Sequence, residues 1–274
     1  VAFYDAAKIM SDAREWNARV YDRVSTPQQD WGVAVLDRLR LRGDELVLDV
    51  GCGTGRLTEK LLERLPRGRA VGVDQSGNML EIAREQLAPR FGSRIAFARA
   101  DAAALPFAGA ADVIFSTATF HWVLDHDRLF ASLRAALKPG GRVVAQCGGG
   151  PNLERVHTRC LRLMREPAFA PHFTSWTSPW EFADAETTTH RLERAGFVDV
   201  RAHVHASPVL QPDAAAYREF VEHVICRPHL RHLPDHTLRA RFMDRLTADA
   251  SHDSPPFQLD YWRLNFEARR PGGD

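Results

Sequence analysis

Cysteine is scarce. The four thiols among 274 residues, Cys52, Cys147, Cys160 and Cys226, lie far apart in the chain, with no CxxC and no pair at ligand spacing. That argues against a disulfide framework and a structural zinc site, so no metal is expected, and it fits a reducing, cytoplasmic compartment. No apolar run has the length of a membrane span. The opening VAFYDAAKIMSDAREW alternates charge with apolar side chains, unlike a secretory signal. An excess of one charge is also missing. Lys and Arg number 36 and Asp and Glu 35, a formal net charge of +1, which removes the electrostatic case for nucleic acid or an anionic membrane as partner. Repeats and low-complexity linkers are absent. What remains is ordinary globular composition in a chain long enough for one large domain, or a core with a modest cap.

Residues 1–40 read as helical and aromatic-rich. From residue 46 short apolar runs alternate with amphipathic segments: LVLDV (46–50), LTEKLLERL (57–65), AVGVD (70–74), a helix capped by Ser76 that turns Met79, Ile82 and Leu87 inward, and RIAFARAD (94–101). ADVIFSTA (111–118), the helix DRLFASLRAAL (127–137), its stop at KPGG (138–141) and GRVVAQCG (141–148) continue the rhythm. Strands alternating with helices predict βαβ units and a parallel sheet covered on both faces. The rhythm breaks at GGGPN (148–152). A helix, turn and strand resume at 189–206, and a helix over 213–230 is expected to end at Pro228. A second helix covers about 234–247, and FQLDYWRLNFEARR (257–270) reads as one long final strand. The sheet core is therefore expected over about 40–150, 189–207 and 257–270. Segments 1–32, 151–188 and 208–255 read as a mainly helical cap without a second core.

The sharpest motif is VLDVGCGTG (47–55), in which a strand delivers Asp49 and the chain turns through Gly51, Gly53 and Gly55 into a helix. Glycine permits positive φ and close approach of backbone to a ligand. The spacing is GxGxG; a dinucleotide fingerprint would put its third glycine at Arg56, and no GK[ST] follows for a phosphate loop. Asp74, ending the second strand, can accept from both hydroxyls of a ribose. Asp101 ends the third strand and can accept from an adenine amino group, with the backbone of Ala102 facing the ring. Each acid alone could be a helix cap. Three such features at the ends of three successive parallel strands occupy the rim where open α/β sheets bind ligands. They point to adenosine joined to something other than diphosphate.

DVGCGTG (49–55), GVDQSGNML (72–80), ADAAALPF (100–107), ADVIFSTATFHWV (111–123) and LKPGG (137–141) together resemble the class I S-adenosylmethionine-dependent methyltransferases, and LERAGFVDV (192–200) is similar to their late helix and sixth strand. The resemblance implies a Rossmann-like α/β fold: a seven-stranded, mostly parallel sheet in order 3-2-1-4-5-7-6, with an antiparallel last strand at 258–269. It implies a single catalytic domain over 1–274 and S-adenosylmethionine as cofactor. Asp49, Gly51, Cys52 and Gly53 would lie at its methionine part, with Gly55 also cofactor-binding, Asp74 at the ribose, Gln75 and Met79 beside the adenosine, and Asp101 and Ala102 at the adenine. Ser116, Thr117 and Ala118 would lie near the methyl centre. FHWVLDH (120–126) resembles the trans-aconitate and juvenile hormone acid methyltransferase type, which implies that the indole of Trp122 and an amide, Gln28 or Gln29, hold an accepting carboxylate.

A carboxylate acceptor is already nucleophilic and needs donors, not a base. A phenol or hydroxyl would need a general base, for which His121 is the first choice. N- or C-methylation and a catalytically inactive interaction protein are the other readings. A nucleic-acid methyltransferase is disfavoured by the balanced charge and the lack of a DPPY-type segment. The acceptor is expected to be a small molecule of anionic or aromatic character, with the chain a monomer or weak dimer. The basic run ICRPHLRHLPDHTLRARF (225–242) would favour an anion if it faced the cleft, but reads first as a solvated helix face. His126 reads as structural. His203 and His205 should share one face of a strand without a third metal ligand.

Overall fold

A computed structural model describes residues 26–273, with side chains from Asp30 onward. Strand β1 (Leu46–Val50) is buried from its second residue on, as a central strand covered on both faces must be. Its residues alternate between two apolar clusters. Leu48 and Val50 join Ile114, Phe130 and Phe266 on one face of the sheet, and Val47 joins Val35, Leu61 and Phe115 on the other. The second cluster is closed by α1 (Thr26–Asp37) and α2 (Arg56–Glu63). Next come β2 (Arg69–Asp74), α3 (Gly77–Phe91), β3 (Ile95–Arg99), β4 (Ala111–Thr117), α4 (His126–Ala136) and β5 (Leu137–Gly148). The expected cap at Ser76 holds, its Oγ accepting from Met79 N at 3.3 Å, and the structure adds Asp125 as the cap of α4.

Beyond β5 lie α5 (Glu154–Met164), α6 (Ala185–Arg194), β6 (Val198–Ala206), β7 (Val209–Leu210) and α7 (Ala214–Phe220). A π-helical turn over Val221–Ile225 leads to α8 (Arg227–His232), α9 (His236–Ala250), β8 (Gln258–Leu259) and β9 (Trp262–Arg269). The large sheet has seven strands in the order β3-β2-β1-β4-β5-β9-β6. Strands β1 to β5 pair in parallel, and β9 runs antiparallel between β5 and β6. This is the order the resemblance implied, with β9 as the seventh strand in sequence. Among the described residues no helix is long and apolar enough to cross a membrane.

Three sequence expectations are corrected. The final strand is broken: β8 leaves the large sheet to pair with β7, and Asp260 turns to accept from Leu153 N and Arg155 N at the start of α5. Pro228 does not end the helix over 213–230. The π-helical turn interrupts that helix first, and Pro228 sits in the first turn of α8, where its missing N–H has no helical partner to lose. The cap also has a core of its own, in which Val156, Tyr217, Val221, Phe242 and Leu246 are buried together apart from the two sheet clusters.

Candidate functional site

The carboxyl ends of β1 to β4 open into a cavity of about 960 Å³, closed on the far side by the cap. The glycine turn forms its floor. Gly51 N and Cys52 N donate to Val73 O at 2.7 and 3.0 Å, which folds the turn against β2. Gly51 has φ +79°, and a β-carbon there would lie 1.9 Å from Thr119 Oγ1. Gly53 has φ +55°, and a β-carbon would meet no atom within 4 Å. It lines the cavity, so the open space beside it is ligand space. Gly55 differs from both. Its φ is +87°, a β-carbon would lie 2.7 Å from Leu87 Cδ1, and it is not a cavity residue. It permits close packing of α2 on α3.

The acids gather at this floor. Asp49 is buried, and its Oδ2 accepts from Thr58 Oγ1 at 2.6 Å. Burial pushes its pKa up to about 7, Thr58 opposes the shift, and the charge of Asp74 adds to it. Asp74 accepts from Gly53 N on Oδ2 at 3.0 Å and from Ser76 N on Oδ1 at 2.9 Å. It thus fixes the turn after β1 and the entry to α3 while facing the cavity. Asp101 does serve as a cap, accepting from Ala103 N at 2.9 Å, and it lines the cavity as well. Cys52, Gln75, Met79, Ala102, Thr117 and Ala118 also line it. Ser116 does not; its Oγ donates to Val50 O at 2.7 Å and ties β4 to β1.

On the acceptor side, Phe120–Trp122 forms a 3-10 turn after β4. Phe120 is buried against Phe266, ring centroids 6.0 Å apart, and this anchor presents His121 and Trp122 to the cavity. His121 Nδ1 accepts from the backbone N–H of Gly148 at 3.3 Å. Burial, followed by the charges of Arg263, His126 and His157, holds its pKa well below the usual histidine value. A neutral imidazole that accepts at Nδ1 carries its proton at Nε2. His126 is structural, bridging Phe120 O and Arg191. The amide expected at Gln28 or Gln29 falls in the first turn of α1, where the side chains lie outside the described residues.

The cap supplies groups that the sequence reading missed. His157, Trp176, Trp180 and Phe182 line the cavity. The Trp180 ring centroid lies 5.5 Å from that of Trp122 and 4.7 Å from that of His157. Arg263 of β9 is buried at the cavity wall, with its guanidinium 4.5 Å from the Trp31 ring centroid and its Nε donating to Gln146 Oε1 at 3.4 Å. Alternation along β9 was the available signal: Leu264, Phe266 and Ala268 belong to the apolar face, which sends Arg263 to the other. Arg227, Arg231 and His232 line the cavity too, which corrects the reading of 225–242 as a solvated face for its first half, whereas His236, Arg239 and Arg241 are exposed and outside the cavity. His203 and His205 share a face, with rings 5.8 Å apart, and lie outside the cavity.

Residues 47–141 match the family described as methyltransferase domain. Trans-aconitate 2-methyltransferase of Methylobacterium radiotolerans is 32% identical over 257 residues, covering 88% of this chain and 91% of that protein. Its counterpart in Variovorax paradoxus is 34% identical, covering 80% and 83%. Haemonchus contortus phosphoethanolamine N-methyltransferase 2 shares the fold, with a TM-score of 0.60 at 19% identity over 93% of this chain and 56% of that one. The open space at Gly53 and the acids above it suit the cofactor of this class. The chain belongs to the class I S-adenosylmethionine-dependent methyltransferases, acts on a small organic molecule, and is related at moderate identity to the trans-aconitate 2-methyltransferases.

Proposed function

We propose that the chain methylates a carboxylate oxygen of a small organic acid. When bound, S-adenosylmethionine supplies an activated methyl group. Gly51, Cys52 and Gly53, with Asp49 behind them, hold its methionine part. Asp74 accepts from the ribose hydroxyls, Gln75 and Met79 flank the adenosine, and Asp101 with the backbone of Ala102 addresses the adenine. Thr117 borders the transfer centre. The cap closes over the cleft and excludes water, so that positioning supplies much of the rate.

The acceptor carboxylate is held by donors. Trp122 offers its indole N–H and His121 its Nε2–H. The single observation that carries this reading is the hydrogen bond from Gly148 N to His121 Nδ1. It commits the imidazole to donating into the cavity, which suits an acceptor that is already an anion. A phenol would instead require Nε2 to take a proton. Arg227, Arg231 and Arg263 favour an anionic molecule, and the walls of Trp122, Trp176, Trp180 and Phe182 favour a flat, unsaturated one. Relatives named for trans-aconitate, itself an unsaturated carboxylic acid, support the same class.

The test is a screen of unsaturated and aromatic acids against matched phenols and alcohols, with products identified by mass spectrometry. Base-labile methyl esters formed from the acids are expected. Methyl ethers formed from phenols, with the acids untouched, would overturn the proposal.

A further inference from the structure

Two thiols and an imidazole that the sequence keeps apart meet inside the cap. Cys160 lies on α5, Cys226 joins the π-helical turn to α8, and His229 lies on α8. The two Sγ atoms are 3.6 Å apart, and a ring nitrogen of His229 lies within 4.8 Å of both. All three side chains are buried, with the cysteines at 0% exposure and His229 at 2%. Nδ1 of His229 has no hydrogen-bond partner, nor has Nε2 of His157, one turn before Cys160 on α5. The two imidazole centroids are 6.5 Å apart.

Buried polar atoms are ordinarily satisfied, so a histidine with an orphaned ring nitrogen beside two thiols needs an explanation. Tetrahedral zinc with Zn–S bonds of about 2.3 Å holds its sulfurs about 3.8 Å apart. The observed spacing already fits that edge. A disulfide, at about 2.05 Å, would require the sulfurs to close by about 1.5 Å. We propose that Cys160, Cys226 and His229 form a binding site with three protein ligands for a thiophilic divalent cation, zinc by preference. Each thiol releases its proton to solvent as its sulfur coordinates. Two thiolates then neutralise the dication, so the apolar cap core holds no net charge. The site links α5 to α8, and these helices carry His157, Arg227 and Arg231 to the cavity wall. It is a brace for the acceptor chamber and takes no part in methyl transfer.

The test uses the full chain, stripped with chelator and kept reduced with a phosphine, then titrated with Co²⁺ as a spectroscopic probe. One equivalent should bind, with a near-ultraviolet thiolate charge-transfer band and the visible bands of tetrahedral cobalt, and Zn²⁺ should displace it. Cys160→Ala, Cys226→Ala and His229→Ala should each weaken binding by at least about tenfold. Because these are core positions, the wild-type protein supplies an independent readout. X-ray absorption of the zinc-loaded chain should find two sulfur neighbours at about 2.3 Å. The proposal fails if cobalt gives no thiolate band, if zinc shows only nitrogen and oxygen neighbours, or if folded variants bind metal as tightly as wild type. It also fails if the wild-type chain takes up no metal and instead forms a Cys160–Cys226 disulfide in air.

Discussion

The backbone N–H of Gly148, at the end of β5, donates to Nδ1 of His121 over 3.3 Å. The bond joins the last residue of a central strand to the first cavity-facing ring after β4 and fixes which nitrogen of that ring carries hydrogen. Replacing His121 with Asn keeps a donor at the site, so it should lower kcat/KM only a few-fold. Trp122→Phe keeps a ring but loses the indole N–H, at a cost of about 1–3 kcal/mol, or roughly a five- to hundredfold fall in kcat/KM. Steady-state kinetics of both variants on an acid identified by the screen check the order. A His121→Asn loss larger than that of Trp122→Phe would assign the imidazole a proton-transfer role.

Asp74→Ala removes acceptors for the ribose, each worth about 1.5–3 kcal/mol. Cofactor binding by calorimetry should weaken at least tenfold while the circular-dichroism spectrum stays close to wild type. Asp101→Asn should be milder, because one oxygen acceptor survives. An unchanged dissociation constant for Asp74→Ala would move the ribose elsewhere.

Asp49 should make cofactor affinity depend on pH. Its folded pKa is raised to about 7 by burial, so in the free protein it is largely protonated below that pH. A cationic ligand nearby favours the ionised form. Affinity for S-adenosylmethionine should therefore fall as pH drops from 8 to 6, and binding near pH 7 should release a proton, measurable by calorimetry in buffers of different ionisation enthalpy. Asp49→Asn should flatten this dependence. The same raised pKa means that ionising Asp49 costs folding free energy. Its contribution favours the fold at low pH, is fully present below the unfolded value of 3.8, and is lost as pH rises through about 7.

Two glycines of one turn should fail in different ways. Gly53→Val puts a branched side chain into the open space beside the turn and should abolish cofactor binding, with a loss of stability from backbone strain at φ +55° but no packing clash. Gly55→Ala drives a methyl group toward Leu87 and Ala83 at φ +87°, so it should lower the thermal midpoint by several degrees, through strain and overpacking of about 1–3 kcal/mol. Thermal melts and binding isotherms of both variants separate the effects.

The floor of the cavity was legible in the sequence because Asp49, Asp74 and Asp101 each lie at or just past the carboxyl end of a strand of a parallel sheet, and such a sheet brings those ends to one rim. Gly55 was misread as part of that floor, since spacing alone does not distinguish a glycine facing ligand from one facing a neighbouring helix. The far wall was largely hidden. Trp176 and Trp180 reach the cavity through the packing of the cap, which has no local periodicity, whereas Arg263 was within reach of the alternation along β9. Cys160 and Cys226 are 66 residues apart in sequence, and only the packing of α5 on α8 brings them together.

The pH dependence of kcat/KM for the acceptor that the screen identifies, measured at saturating cofactor so that Asp49 does not enter, tests the central claim most directly. Burial keeps His121 neutral well below the usual histidine range, and a carboxylate stays ionised to about pH 5. The rate should therefore hold nearly constant from pH 8 down to about 5.5. An acid limb above about pH 5.5 that is abolished in His121→Asn would show that the imidazole must be free to take a proton from the acceptor and would contradict carboxylate methylation.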